Sequence, residues 1–169
     1  MSHATAHDAG PAASAAAFVA GLQDEQAALA AFSGLLRTEQ DALVQGDAGR
    51  VAELAAEKAD KLERLTHLDE QRKRHLAAQD LNDNAEGMLA WLKRNSGFGA
   101  AAGKVWRELL AQAEAARRIN ETNGLLIQSK LQQNRLKLAA LQSAAAAGGV
   151  YGADGQLDPL RGTRSLSQV

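Results

Sequence analysis

The sequence predicts an all-α protein: an antiparallel bundle or hairpin of three long helices plus one short helix, with disordered termini. Three observations lead there. Leucine and alanine recur at helical spacing while aromatics make up only 4% of the 169 residues, so buried surface must come mainly from small and straight aliphatic side chains. The two prolines, Pro11 and Pro159, both lie near the ends, and nothing between them forces a helix to stop. The interruptions that do occur are short clusters of Gly, Asp and Asn, which suit tight connections between antiparallel neighbours.

Residues 1–14 are rich in Ala, Ser, Gly and His without apolar periodicity and read as a disordered leader; the helical domain is expected over 15–147 and a flexible tail over 148–169. Phe18, Leu22, Leu29, Phe32, Leu36 and Leu43 follow steps of 4, 7, 3, 4 and 7, one stripe of a helix reaching about Gln45. Gly46-Asp47-Ala48-Gly49 breaks it, and the Asp47 carboxylate is placed to accept from the free N–H groups of the next helix. Val51, Leu54, Leu62, Leu65, Leu68 and Leu76 supply the apolar face of that second helix. Glu57–Lys61 and Asp60–Arg64 have i,i+4 spacing for its exposed face. Asp80 to Asn84 is turn-forming, Ala85 to Lys93 has enough apolar residues for a short helix, and Asn95 to Gly99 is expected to end it. A last long helix is expected from about Ala101 to Ala147, starting with Val105, Trp106, Leu109 and Leu110, with Gly148-Gly149 stopping it.

Composition excludes much. The chain has no cysteine, which removes disulfides, thiolate metal sites and Cys nucleophiles together. No stretch approaches the roughly 18 apolar residues of a membrane span, and residues 1–14 offer no basic start to an apolar run, so the protein is expected to stay in the cytosol. A net charge of −1 argues against a nucleic-acid-binding surface. The charge is unevenly spread: residues 1–70 carry 12 acids against 5 bases, residues 71–169 carry 8 against 14. That asymmetry suits an acidic early hairpin packed beside a basic late helix.

No motif carries chemistry. Gly97, Gly99 and Gly103 lack the preceding strand and the G-K-[ST] ending of a phosphate loop. His67 and His75 have no partner at ligand spacing. Asp24-Glu25 and Asp69-Glu70 are sequence neighbours that point to different sides of a helix. The basic run Arg72-Lys73-Arg74-His75 fits the last turns of the second helix, opposing the partial negative charge of its C-terminus; the alternative is that it binds an anion or an acidic partner. The protein is therefore expected to be no enzyme and to use no cofactor or metal.

The informative stretch is Ile119 to Leu141. At about 100° per residue Leu126, Ile127, Leu131, Leu138 and Leu141 share one broad face, while Leu125 and Leu136 lie together well away from it. One stripe is explained by core packing. The second is either buried by a fuller bundle or free to dock a partner helix. Asn120, Asn123 and Asn134 fall between the apolar residues, where buried amides would specify register.

IleAsnGluThrAsnGlyLeuLeuIle from Ile119, the later GlnGlnAsnArg, and TyrGlyAlaAspGlyGln at Tyr151 to Gln156 resemble the FlgN family, export chaperones of the flagellar hook-associated proteins. LeuLeuArgThrGluGlnAspAlaLeu from Leu35, LysAlaAspLysLeu from Lys58 and ArgLysArg from Arg72 fit the family's first two helices, so the resemblance spans about residues 18 to 156. It implies a type III secretion chaperone. Its client surface would comprise Asn120, Asn123, Gly124, Leu125, Leu126, Ile127, Leu131, Asn134, Leu136, Leu138 and Leu141. Its clients would be the C-terminal helical segments of the hook–filament junction proteins, kept unassembled until delivery. Tyr151 and Gly152 would dock to the cytoplasmic domain of the export gate. The rival reading is a structural coiled-coil module that self-associates through the same stripe.

Overall fold

The computed structural model describes residues 10–148, and among them the chain forms four helices: α1 Pro11–Gln45, α2 Ala48–Ala77, α3 Ala85–Arg94 and α4 Ser96–Gly148. The expected leader before residue 10 and tail from residue 149 lie outside the described residues. Helix α1 begins earlier than the expected boundary at 14. Pro11 stands in its first turn, where the missing N–H leaves no bond unmade and the fixed φ already suits a helix.

Local chemistry sets the helix ends. Gly46 closes α1 in the left-handed region at φ 78°, its N–H directed to the carbonyls of Ala42 and Leu43. Asp47 then caps α2, accepting from the Arg50 N–H at 2.9 Å. Asn84 caps α3 by accepting from the N–H groups of Glu86 and Gly87. A Cβ at Gly87 would lie 1.8 Å from the Asn82 carbonyl oxygen, so only glycine lets α3 start this close to the turn before it. The Asn95–Gly99 stretch is not the loop its composition suggests. Asn95 alone separates α3 from α4: its amide donates to the Trp91 carbonyl while its own carbonyl accepts from Phe98, and the chain re-enters a helix at Ser96.

By internal contacts the chain divides into two units, one up to Gly124 and one from Leu125 onward, with α4 contributing to both. The first unit holds the core. All six apolar residues of the α1 stripe are buried, joined by Leu76, Met88, Trp91, Ala102, Trp106, Leu109 and Ala116. Arg72 reaches Glu25 and Lys58 reaches Glu39, so α2 runs antiparallel to α1. Gln26 donates to Glu108, and Asn123 to the Leu36 carbonyl, so this part of α4 runs in the direction of α1. Within this unit the result is an up-down-up arrangement of α1, α2 and the first part of α4, with α3 as a short corner.

The face assigned to α2 needs one correction. Leu54 and Leu76 are buried and Val51, Leu65 and Leu68 half-buried, but Leu62 is exposed. The inward positions of α2 follow steps of 3 and 4 through Leu54, Lys58, Lys61, Leu65, Leu68 and Arg72, and Leu62 falls one residue out of that rhythm. The expected pairs Glu57–Lys61 and Asp60–Arg64 do not form either; Lys61 is half-buried, and Glu57 lies 3.9 Å from Arg50.

Candidate functional site

Two buried glutamates tie the helices of the first unit together. The α1 stripe contains two seven-residue steps, and the positions they skip are Glu25 and Glu39, which complete an unbroken alternation of 4 and 3 from Phe18 to Leu43. Both are buried. Glu25 accepts from Arg72 Nε at 3.0 Å; the Arg72 guanidinium also pairs with Asp69 and lies 5.0 Å over the Trp106 ring of α4. Glu39 accepts from Lys58 at 3.0 and 3.1 Å and from the Asn123 amide of α4 at 2.8 Å. Each layer thus joins α1, α2 and α4 and satisfies a charge the apolar interior would otherwise reject.

Past Asn123 the character of α4 changes. Gly124 is half-buried, and a Cβ there would meet nothing within 4 Å. Leu126 and Ile127 are half-buried, whereas Leu125, Leu131, Leu136, Leu138 and Leu141 are between 53% and 67% exposed. The other exposed large apolar side chains, Val44, Leu62, Leu89 and Leu110, are scattered over the four helices, so these five leucines are a concentration and not background. Both apolar faces of this stretch are thus exposed beyond Ile127, Leu131, Leu138 and Leu141 on one and Leu125 and Leu136 on the other.

Other expected site residues divide. Asn120 and Asn134 are exposed. Asn123 is only 1% exposed, and both hydrogens of its amide are taken by the Leu36 carbonyl and Glu39, so it is a packing residue and not part of a free surface. Tyr151 and Gly152 lie outside the described residues.

The remaining motifs resolve into packing. Gly97, Gly99 and Gly103 lie within the first turns of α4, and Gly103 is buried with the space a Cβ would take bordered by Leu92. His75 stacks on Phe18 at a centroid distance of 4.2 Å, and burial lowers its pKa. His67 is exposed and bonded to Gln71. In the basic run, Arg74 and His75 occupy the last turn of α2 as expected, Lys73 pairs with Asp69, and Arg72 turns inward to Glu25. An open cleft of about 220 Å³ beside Phe18 and Leu22 is edged by Arg72 and His75, both engaged in these contacts. Among the described residues no three His, Asp or Glu side chains gather to hold a metal ion, and no helix is long and apolar enough to cross a membrane.

A model of the FlgN protein family matches residues 14–159, which takes in all but the first turn of α1 and the whole of α2, α3 and α4. No curated protein and no solved structure matches the chain.

Proposed function

The chain belongs to the FlgN family of flagellar export chaperones, and we propose that it holds the C-terminal helical segments of hook–filament junction proteins on the second half of α4. The observation that supports this reading is the run of exposed leucines from Leu125 to Leu141 on an unbroken helix. An amphipathic helix laid against such a surface removes its own apolar stripe from water at about 25 cal/mol per Å². A client covered in this way is kept from premature assembly, by mass action alone and without chemistry. The client surface comprises Gly124, Leu125, Leu126, Ile127, Leu131, Asn134, Leu136, Leu138 and Leu141, with Asn120 at its edge. The work is done in the cytoplasm, before export, and uses no cofactor.

Delivery belongs to the tail. Tyr151 and Gly152 contact the cytoplasmic domain of the export gate, tethered near a captured client by the residues after α4.

The test is a titration of a junction protein's C-terminal segment against the full chain. Leu131→Glu weakens binding by more than about 1 kcal/mol and leaves helicity unchanged, because an exposed anchor is lost. Leu109→Ala instead lowers the stability of the helical unit by about 2–5 kcal/mol. Undiminished client affinity in Leu136→Glu and Leu131→Glu together would sink the assignment of this surface.

A further inference from the structure

The exposed half of α4 carries a heptad seam whose flanks have one sign of charge. Ile127, Leu131, Asn134, Leu138 and Leu141 follow steps of 4, 3, 4 and 3, the spacing of inner positions in a two-helix coiled coil. The positions beside that seam are Gln128, Lys130, Arg135, Lys137 and Gln142. No acid occurs between Thr122 and Gly148, so the three cations have no carboxylate on their own stretch of helix. The first half of α4 is built otherwise: Lys104, Arg117 and Arg118 each face a glutamate four residues away. The chain as a whole is slightly acidic, so this segment is a local excess of positive charge with the seam leucines Leu131, Leu138 and Leu141 in the open.

We infer that the occupant of this seam is a helix with acidic flanks, apolar at its own inner heptad positions and carrying a polar side chain opposite Asn134. This rests on the client reading above and adds the partner's chemistry to it. A second copy of the chain fits poorly. Parallel pairing would set the flank of one helix against the opposite flank of the other, antiparallel pairing would set like flanks together, and both arrangements oppose cation to cation. An anionic membrane surface would attract the cations, but it would draw Asn134 into hydrocarbon with no hydrogen-bond partner. An acidic-flanked helix meets both demands, since its carboxylates answer Lys130, Arg135 and Lys137 and its polar residue answers Asn134.

The experiment uses the full chain and two synthetic helical peptides about three heptads long, with identical leucine seams and one asparagine, flanked in one by glutamate and in the other by lysine. The glutamate peptide binds at least about tenfold tighter, and added salt narrows the difference. The triple substitution Lys130→Glu, Arg135→Glu and Lys137→Glu inverts the preference while circular dichroism stays unchanged. Equal binding of the two peptides, binding of neither, or a preference that survives the triple substitution overturns the inference. So does sedimentation of the chain with anionic vesicles in place of any peptide preference. A junction-protein segment that loses affinity on Leu131→Glu but not on the triple substitution would leave the client reading standing and remove only the charge requirement; insensitivity to Leu131→Glu and Leu136→Glu would remove the client reading itself.

Discussion

Asn123 donates its side-chain amide to the Glu39 carboxylate at 2.8 Å, a buried bond between residues 84 positions apart that ties α4 to α1. Lys58 holds the same carboxylate from α2. Replacing Asn123 by Leu removes one donor from Glu39 and one from the Leu36 carbonyl, and is expected to cost about 1–3 kcal/mol. Asn123→Asp should cost more, because it loses both donors and sets a second carboxylate against the first. Denaturant midpoints of the two variants check the order; client affinity should not follow it, since Asn123 presents nothing to solvent.

Arg72 is 11% exposed at its side chain, and its contacts to Glu25, Asp69 and the Trp106 ring depend on a planar, forked cation. Arg72→Lys keeps the charge but cannot serve all three, so it is expected to lose about 1–2 kcal/mol. Arg72→Met leaves Glu25 buried without its cation and should lose about 3–5 kcal/mol. Urea unfolding of both variants tests this, and a lysine variant as stable as the parent would refute the geometric requirement.

Burial against Phe18 lowers the pKa of His75 from its ordinary value of 6.5. The native state then takes up the proton less readily than the unfolded chain. The contribution of His75 to stability is complete above pH 6.5 and declines as pH falls below it, until the lower native pKa is reached. Thermal unfolding followed from neutral to mildly acidic pH should therefore fall less steeply in His75→Gln than in the parent. The comparison cancels the exposed His67 and the carboxylates common to both.

Two glycines should respond in opposite directions. Gly87→Ala places a Cβ 1.8 Å from the Asn82 carbonyl and must displace backbone at the start of α3, so loss of several kcal/mol is expected by analogy with overpacked sites. Gly124→Ala meets nothing within 4 Å inside a helix and should gain about 0.5–1 kcal/mol from propensity alone. Melting temperatures of the pair decide both signs.

Helix content, order and most boundaries were legible because they follow from local chemistry: the 3.6-residue period, the Asp47 cap and the Gly46 stop. The α1 stripe was legible to the residue, with all six apolar members buried. The seven-residue steps within it were also a signal, since a helix packed on neighbours along its length does not leave the two inner positions inside those steps unused. Glu25 and Glu39 stand at those positions, and hydropathy alone does not place a carboxylate in a core. The Asn95 junction was misread as a loop for a similar reason: Gly97 and Gly99 have loop composition, but the Asn95 bonds to Trp91 and Phe98 restart the helix.

By itself the sequence determined most of the helical segments, the apolar stripe of α1, and the leucine spacing of the last helix, because each depends on neighbours a few positions away. Only the tertiary structure decided what answers the inward charges and which leucines stay in water. Arg72 and Lys58 oppose Glu25 and Glu39 because α2 folds back along α1, and Asn123 completes the second layer from 84 residues away. Periodicity marks a stripe as apolar but does not say whether anything covers it. Leu109 is buried and Leu131 exposed on the same helix, because burial depends on what packs against a residue and not on the residue alone.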